Sequence, residues 1–290
     1  MEAVQLREDR KRCKGDVVIM LCTSAVILVL RGSDHMQNLP LMLQKILFSP
    51  AARELALSLE RVGVERFFVI SEADLLRETA ACFPAGAQVV SAQAEDLDRQ
   101  LMAFAAQATG KVLTVTAPVW ISGEGLEELT RDEFITPAGD PMGVYRVEPE
   151  VLAEGGVETL NYGEYYSPLN EPEIQLLPLK DYSSLRKARE LARVDNLCRL
   201  MAAGAEIIDP SATYAEGGAE VGLGTTILPG TLLRGCVKVG QKCEIGPHTT
   251  LQDCVVEDGC TVNASQVEGV TLPAGCVVGP FAHRYPGSEC

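Results

Sequence analysis

A six-residue period in the C-terminal third constrains the fold of this chain more than any other feature. Every sixth residue from Val221 to Leu251 is aliphatic, and after one shortened repeat the pattern resumes at Val256. A fixed short period is typical of solenoids, in which each repeat packs mainly on its neighbours. The aliphatic positions are Val221, Ile227, Leu233, Val239, Ile245, Leu251, Val256, Val262, Val267, Leu272 and Val278.

The residue four places after each aliphatic one is usually small or β-branched. This pattern predicts a left-handed parallel β-helix over residues 205–290, in which three hexads close a triangular coil and neighbouring coils pair as strands. The aliphatic residue should point inward and the small residue should fill the corner beside it. The expected corner residues are Thr225, Thr231, Val237, Cys243, Thr249, Val255, Cys260, Thr271 and Cys276, with Gln266 as a misfit.

Three of the ten cysteines occupy the same phase one coil apart, so Cys243, Cys260 and Cys276 should stack as an inward column. Free cysteine behaves as a small buried hydrophobe, and we interpret the column as packing rather than as a redox or metal site. The chain has no C-x-x-C pair and only three histidines, so no metal site is predicted.

The N-terminal part alternates short apolar runs with amphipathic segments. The alternation predicts an α/β domain with a mostly parallel, Rossmann-like sheet covered on both faces. Ligands bind such sheets beyond the carboxyl ends of the strands, here Leu30–Leu41 and the residues after Thr116. The expected strands are Val17–Leu30, Phe67–Ile70, Gln88–Ser91 and Val112–Thr116; the expected helices are Leu39–Phe48, Ala51–Val64, Ala73–Cys82 and Ala94–Gln107.

A chain of 290 residues favours more than one domain. We expect an N-terminal extension at residues 1–19, with Met20 as an alternative start, the α/β domain at 20–181, a linking helix at 182–204, and the β-helix at 205–290. The apolar run Val17–Leu30 is too short to span a bilayer and lacks a cleavage site, so we interpret it as a buried strand. A reducing cytoplasm is the expected compartment.

The formal charge of −15 and the pI near 4.7 argue against two classes of partner. A strongly acidic protein is repelled by phosphate backbones and by anionic lipid. We therefore expect neither nucleic acid nor a membrane as a partner.

Three segments carry a resemblance to a known family. Residues Ala25–Leu28 through Met36, with Leu39-Pro40, are similar to A-V-I-L-A-A-G-x-G-T-R-M and L-P-K; Gly163–Tyr166 matches G-E-Y-Y; Gly279–Ala282 with Pro286-Gly287 is similar to G-P-F-A-R-L-R-P-G. The order of parts resembles the bifunctional bacterial enzymes that make UDP-N-acetylglucosamine, with a uridylyltransferase domain before a left-handed β-helical acetyltransferase domain. The resemblance implies a truncated and degenerate relative, because its departures fall on the chemistry.

In that family a glycine-rich loop brings main-chain N–H groups to the nucleotide phosphates, and an arginine and a lysine neutralise the growing charge. Here arginine and serine replace two glycines, histidine replaces the arginine, and leucine replaces the lysine. The resemblance thus implies a degenerate nucleotide-binding loop and no catalytic residue. The loop positions are Arg31, Gly32, Ser33, Asp34, His35 and Leu41.

The family's metal and base contacts are also replaced. Pro118 stands where an aspartate holds Mg²⁺, and Tyr182–Ser184 stands where an asparagine does, so the oxygen ligands that Mg²⁺ needs are missing. The base-recognition stretch Q-L-G-T falls at Asp96–Arg99.

The retained G-E-Y-Y makes Glu164 a candidate contact for the N-acetylglucosamine moiety. The alternative is an edge glutamate beside two packing tyrosines, because Pro168 and Leu169 replace the family's threonine and aspartate.

The family's acetyltransferase site lies in coils after R-P-G, and this chain ends at Cys290, with Tyr285 where the family has a sugar-phosphate arginine. We therefore expect His248 and His283 to be solvated turn residues.

These observations favour a non-catalytic relative of the uridylyltransferase that acts as a binding, regulatory or structural module without a cofactor. One alternative is a divergent, active sugar-1-phosphate nucleotidyltransferase, whose Mg²⁺ would lie on Asp34, His35 and Glu95–Asp98. Another is a hexapeptide-repeat acyltransferase that works between subunits. A sugar nucleotide is the candidate ligand, and a homotrimer through the β-helix is expected by analogy.

Overall fold

The computed structural model describes residues 22–31, 39–122, 143–161 and 175–288. The predicted N-terminal extension, the loop residues Gly32 to His35, and Glu164 lie outside these ranges.

A five-stranded sheet forms the centre of the N-terminal part, in the order β3-β2-β1-β4-β6. Strands β1 to β4 pair in parallel with one another, and β6 runs antiparallel to β4 at one edge. A separate antiparallel pair, β5 and β7, lies beside it. The strands are β1 Ser24–Val29, β2 Arg66–Ser71, β3 Gln88–Ser91, β4 Val112–Val115, β5 Val119–Ser122, β6 Val144–Val147 and β7 Gln175–Pro178.

Helices cover both faces of this sheet. Successive residues of β1 point to opposite sides, so Ile27 packs in a core with Leu55 and Leu185, whereas Val26 packs in a second core with Leu101. The helices are α1 Ala51–Arg61, α2 Leu76–Ala80, α3 Leu97–Ala105, α4 Pro149–Gly155 and α5 Tyr182–Ala202; short 3₁₀ turns are Leu41–Leu43, Ala73–Leu75, Gly156–Asn161 and Pro210–Ala212.

The prediction of a helix over Leu39–Phe48 is wrong. Only Leu41–Leu43 forms a 3₁₀ turn, Gln44 is extended, and Lys45 bridges Pro50 across a tight loop. Proline at position 50 disfavours helical geometry in the residue before it, which helps to explain the loop. The apolar residues of this segment are nonetheless buried, which is why their spacing resembled a helix. The helix predicted over Ala73–Cys82 is shorter than expected and begins with a 3₁₀ turn.

The C-terminal part is a three-sided stack of short parallel strands, which we call the prism. The first face contains β8 Glu206–Ile207, β11 Thr226–Ile227, β14 Glu244–Ile245, β17 Thr261–Val262 and β20 Val277–Val278. The second contains β9 Tyr214–Ala215, β12 Leu232–Arg234, β15 Thr250–Gln252, β18 Gln266–Glu268 and β21 His283–Arg284. The third contains β10 Glu220–Val221, β13 Lys238–Val239, β16 Val255–Val256 and β19 Thr271–Leu272.

The predicted aliphatic column is confirmed. Ile227, Leu233, Ile245 and Leu251 are fully buried, and the remaining aliphatic positions are at most 6% exposed. Together with the α/β sheet, this confirms the predicted fold class of an α/β part followed by a β-helix.

Two of the expected corner assignments are wrong. Val255 is 39% exposed, whereas Cys254 beside it is buried, and Thr271 is also exposed. Where a repeat has five residues instead of six, the corner residue comes three places after the aliphatic one. Ser265 therefore fills the corner where Gln266 was the misfit, and Val270 fills the one assigned to Thr271.

The predicted one-coil spacing of Cys243, Cys260 and Cys276 is confirmed. The N–H groups that follow Cys243 and Cys260 along the chain donate to the carbonyls of Cys260 and Cys276, one coil further on. Cys243 and Cys260 are buried, and Cys276 is half-buried. Each of the two buried thiols donates to a main-chain carbonyl, at 3.2 Å to Glu257 and 3.1 Å to Pro273.

No helix in the described ranges is both long enough and apolar enough to cross a membrane.

Candidate functional site

The carboxyl ends of β1, β2 and β4 meet at one edge of the central sheet, as the parallel pairing requires. The residues that follow these strands are Arg31, Glu72 and Thr116. Ligands of open α/β sheets bind at this edge, so a nucleotide site would be expected here.

Arg31 is held by two carboxylates that follow β2. Its guanidinium donates to Asp74 through two bonds, Nη1–Oδ1 at 3.0 Å and Nη2–Oδ2 at 2.6 Å, and Nη1 lies 3.7 Å from Oε2 of Glu72. Its main-chain N–H donates to Oε1 of Glu72 at 3.0 Å. At this position, both the amide and the cation are therefore directed at carboxylates.

This pairing sets the charge of the strand edge. The hydrogen bond from Arg31 holds the pKa of Asp74 below its usual range, and the same bond raises the pKa of Arg31. Arg31 and Asp74 are therefore both charged at neutral pH. Because the Arg31 guanidinium faces two carboxylates, its positive charge is matched within the protein.

Leu41, at the family's lysine position, lies in the 3₁₀ turn and packs partly buried against the hydrophobic core. Its side chain is a packing group.

The end of β4 is closed by a neighbouring segment. Thr116 N–H donates to the carbonyl of Gly143 at 2.7 Å, and a Cβ on Gly143 would lie 2.4 Å from that of Ala117. Gly143 also has a φ of +74°, which favours glycine. Pro118, at the metal-aspartate position, accepts a hydrogen bond from Leu179 N–H at 2.9 Å on its carbonyl.

The described residues at this edge do not fit a magnesium site. Pro118 has no side-chain oxygen, and Glu72 and Asp74 are already bound to Arg31. Within the described ranges, no three His, Cys, Asp or Glu side chains cluster in a way that would hold a metal ion.

The base-recognition stretch is used for helix contacts. Asp96 precedes α3 and accepts from Arg99 and Gln100, both at 2.9 Å. Asp98 accepts from the N–H of Val157 at 2.9 Å, next to Gly156. The Asp98 bond ties α3 to the turn after α4, whereas the Asp96 bonds lie within the start of α3.

The segment at the metal-asparagine position begins α5. Asp181 accepts from Ser184 N–H at 2.8 Å, and the Ser184 hydroxyl accepts from Asp181 N–H at 3.0 Å. This reciprocal capping box satisfies the free donors of the helix start. Ser184 therefore has a structural role.

The two prism histidines are exposed, and His283 lies in strand β21 instead of the expected turn. His248 is at a corner with a φ of +51°. His283 is exposed on the second face, with Nε2 3.9 Å from Glu268 and its ring 5.2 Å from that of Tyr285.

A shallow groove of about 340 Å³ lies on the third face of the prism. Its two acids are bound to the main chain: Asp258 accepts from Gln241 N–H at 2.8 Å, and Glu257 accepts from Ala274 N–H at 2.9 Å. The groove offers no histidine as a general base. Its lining residues are Lys238, Val239, Gly240, Val255, Val256, Glu257, Asp258 and Ala274.

Sequence reasoning missed Glu72 and Asp74 at the strand edge. The available signal was their position directly after the apolar strand β2, in the run Ser71-Glu72-Ala73-Asp74. Their pairing with Arg31 depends on β1 and β2 being neighbours, which the alternation of strands and helices does not specify.

No protein-family model matches the chain. Curated proteins named "Bifunctional protein GlmU" do match parts of it. The protein from Caldanaerobacter subterraneus subsp. tengcongensis is 44% identical over 85 residues, which is 29% of this chain and 19% of that protein. The protein from a Geobacillus species is 32% identical over 129 residues, or 44% of this chain and 28% of that protein.

The protein of the same name from Thermoanaerobacter pseudethanolicus is 33% identical over 115 residues, or 40% of this chain and 25% of that protein. The matched stretches thus span less than a third of the length of these curated relatives. The resemblance found in the motifs is confirmed: over these stretches the chain is a relative of the bifunctional GlmU proteins.

Proposed function

We propose that this chain is a non-catalytic relative of the sugar-1-phosphate uridylyltransferases and acts as a binding, regulatory or structural module. The observation that carries the proposal is the engagement of Arg31 by Asp74 and Glu72. Phosphoryl transfer depends on cations around the transferring group and on pre-aligned donors. Here the guanidinium and the main-chain N–H of Arg31 both donate to carboxylates, those of Asp74 and Glu72.

The metal position supports the same proposal. In phosphoryl transfer, Mg²⁺ bridges the phosphate oxygens and neutralises the charge that develops. Pro118 supplies no ligand, and Ser184 is committed to the helix cap. Among the described residues, the edge of the sheet therefore lacks both means of charge neutralisation.

The close packing at the end of β4 also supports the proposal. The end of β4 is packed against Gly143, where even one methyl group would overlap Ala117. The segment at the base-recognition position forms the start of α3. Asp96 is bound within that helix, and Asp98 is bound to the turn after α4.

Isothermal titration with UTP and with UDP-N-acetylglucosamine, each with and without Mg²⁺, tests the proposal. We expect Mg²⁺ to leave the affinity of both nucleotides unchanged, because the described part of the strand edge offers no ligand for a bridging ion. Affinity for UTP that rises tenfold or more with Mg²⁺ would overturn it.

A further inference from the structure

The junction between α1, α5 and the first coil of the prism buries a group of charged side chains. We call these residues the junction cluster: Glu54 and Arg61 of α1, Arg199 of α5, and Glu216 and Gly217 of the first coil. Glu54 is 4% exposed and Glu216 is 3% exposed. Buried carboxylates are costly unless they are paired or protonated.

The main-chain N–H and carbonyl of Gly217 are both hydrogen-bonded to side chains of the cluster. Its N–H donates to Oε2 of Glu54 at 3.1 Å. Its carbonyl accepts from Nη2 of Arg61 at 2.6 Å and from Nη2 of Arg199 at 3.1 Å. Arg199 also donates to the carbonyl of Ala219 at 2.9 Å. Both guanidinium groups thus donate to main-chain carbonyls.

Glu216 has an unusual environment. Its Oε2 accepts from the N–H of Gly235, while its Oε1 is buried and has no hydrogen-bond partner among the described residues. The charge of Glu216 also acts on Glu54. Two buried carboxylates therefore share one junction, and a single hydrogen bond from the described residues, that of Gly217 N–H, reaches Glu54.

Burial, and next the charge of Glu216, raise the pKa of Glu54 to about 7, against the opposing influence of the Gly217 amide, Arg61 and Arg53. Burial lowers the pKa of Arg61 and lowers that of Arg199 to about 10, so both stay charged at neutral pH. Glu220 is the further acid that acts on both arginines. Glu54 therefore titrates near neutrality.

We propose that the junction cluster is a pH-sensitive latch between α1 and the prism, closed when Glu54 carries a proton and loosened when it is ionised. A proton on Glu54 removes one of two neighbouring buried negative charges and leaves the bond from Gly217 in place. Once Glu54 has lost its proton, hydration stabilises the charged carboxylate. Water reaches this carboxylate only when the junction opens.

The direction follows from proton binding. The closed junction holds its proton to a higher pH than the open one, so rising pH favours the open form. If the open form titrates at the ordinary value of 4.5, the opening equilibrium increases about tenfold between pH 6 and pH 8.

Hydrogen exchange of the full chain, corrected for the intrinsic effect of pH, tests the latch at the Gly217 amide. We expect opening to rise about tenfold from pH 6 to pH 8 in the wild type. Glu54→Gln mimics the protonated state and should make the response flat. Glu60→Gln is the matched control, because Glu60 is exposed on the same helix.

A wild type without the response, or a Glu54→Gln variant that keeps it, would overturn the latch. So would exchange at Gly217 that is no faster than exchange in β1 and β4, because that amide would then open only by global unfolding. If Glu54→Gln does not fold, Glu216→Gln supplies the second test: it should weaken the response, and an undiminished response would contradict the proposal.

Discussion

Arg31 and Asp74 form a two-pronged ion pair across the carboxyl ends of β1 and β2, with N–O distances of 3.0 and 2.6 Å. Bidentate arginine–carboxylate pairs are among the more geometrically specific hydrogen-bonded contacts. Here the pair stands where the resemblance places a glycine approaching phosphate. A group that would otherwise attract an anion is therefore matched within the protein.

Removing the Asp74 charge should make this edge more attractive to anions. We expect Asp74→Asn to raise the affinity for inorganic tripolyphosphate severalfold at low ionic strength, measured by titration calorimetry. The gain should disappear in high salt, because exposed charges are screened. Glu78→Gln, an exposed change on the next helix, is the control. An equal gain in both variants would point to net charge alone and contradict the assignment.

The cysteines should divide into two classes on alkylation. Burial raises the pKa of Cys254 to about 11 and also raises that of Cys260, so both thiols should resist a neutral-pH reagent in the folded protein. Cys198 and Cys236 are exposed and should react quickly. Mass spectrometry of native and denatured samples measures the rates. Equal native rates for all four would refute the corner assignment of Cys254 and Cys260.

Gly217 should not tolerate a side chain. A Cβ there would lie 2.5 Å from Oε2 of Glu54 and 2.9 Å from Nη2 of Arg61. We expect Gly217→Ala to lower the free energy of unfolding by about 1–3 kcal/mol, the usual cost of overpacking. Gly86→Ala is the control, since nothing lies within 4 Å of the added methyl. Urea denaturation gives both values, and equal effects would contradict the close fit at Gly217.

Glu54 should make stability depend on pH. Because the folded-state pKa is raised to about 7 from 4.5, its contribution is fully present below pH 4.5 and is lost as pH rises to about 7. Each pH unit over which the folded state alone holds the proton is worth about 1.4 kcal/mol, so the loss is at most about 3 kcal/mol. Glu54→Gln should remove this slope in urea melts from pH 5 to pH 8. A slope that persists in the variant would assign it to other groups.

The prism was predictable because its period is local: each coil repeats the same choice of an aliphatic residue inside and a small residue at the corner. The error at Val255 came from the same locality, since a repeat shortened by one residue moves the corner to Cys254. The segment Leu39–Phe48 failed for a different reason. Its apolar spacing is helical, but the loop that joins Lys45 to Pro50 depends on contacts beyond the segment.

The candidate site was predictable only in part. Replacements such as Leu41 and Pro118 can be read against the family motif one position at a time. The carboxylates of Glu72 and Asp74 become meaningful only when β1 and β2 lie side by side. The burial of Glu54 depends on the packing of α1 against the first coil of the prism, and no periodicity within either element reports it.

Release of pyrophosphate from UTP and N-acetylglucosamine-1-phosphate by the purified chain, with Mg²⁺ and with chelator, tests the non-catalytic account most directly. We expect no chelator-sensitive release, because Arg31 is bound to carboxylates and no metal ligand stands at Pro118. Chelator-sensitive turnover within about a hundredfold of the ordinary enzymatic range of 1–10³ s⁻¹ would contradict the account.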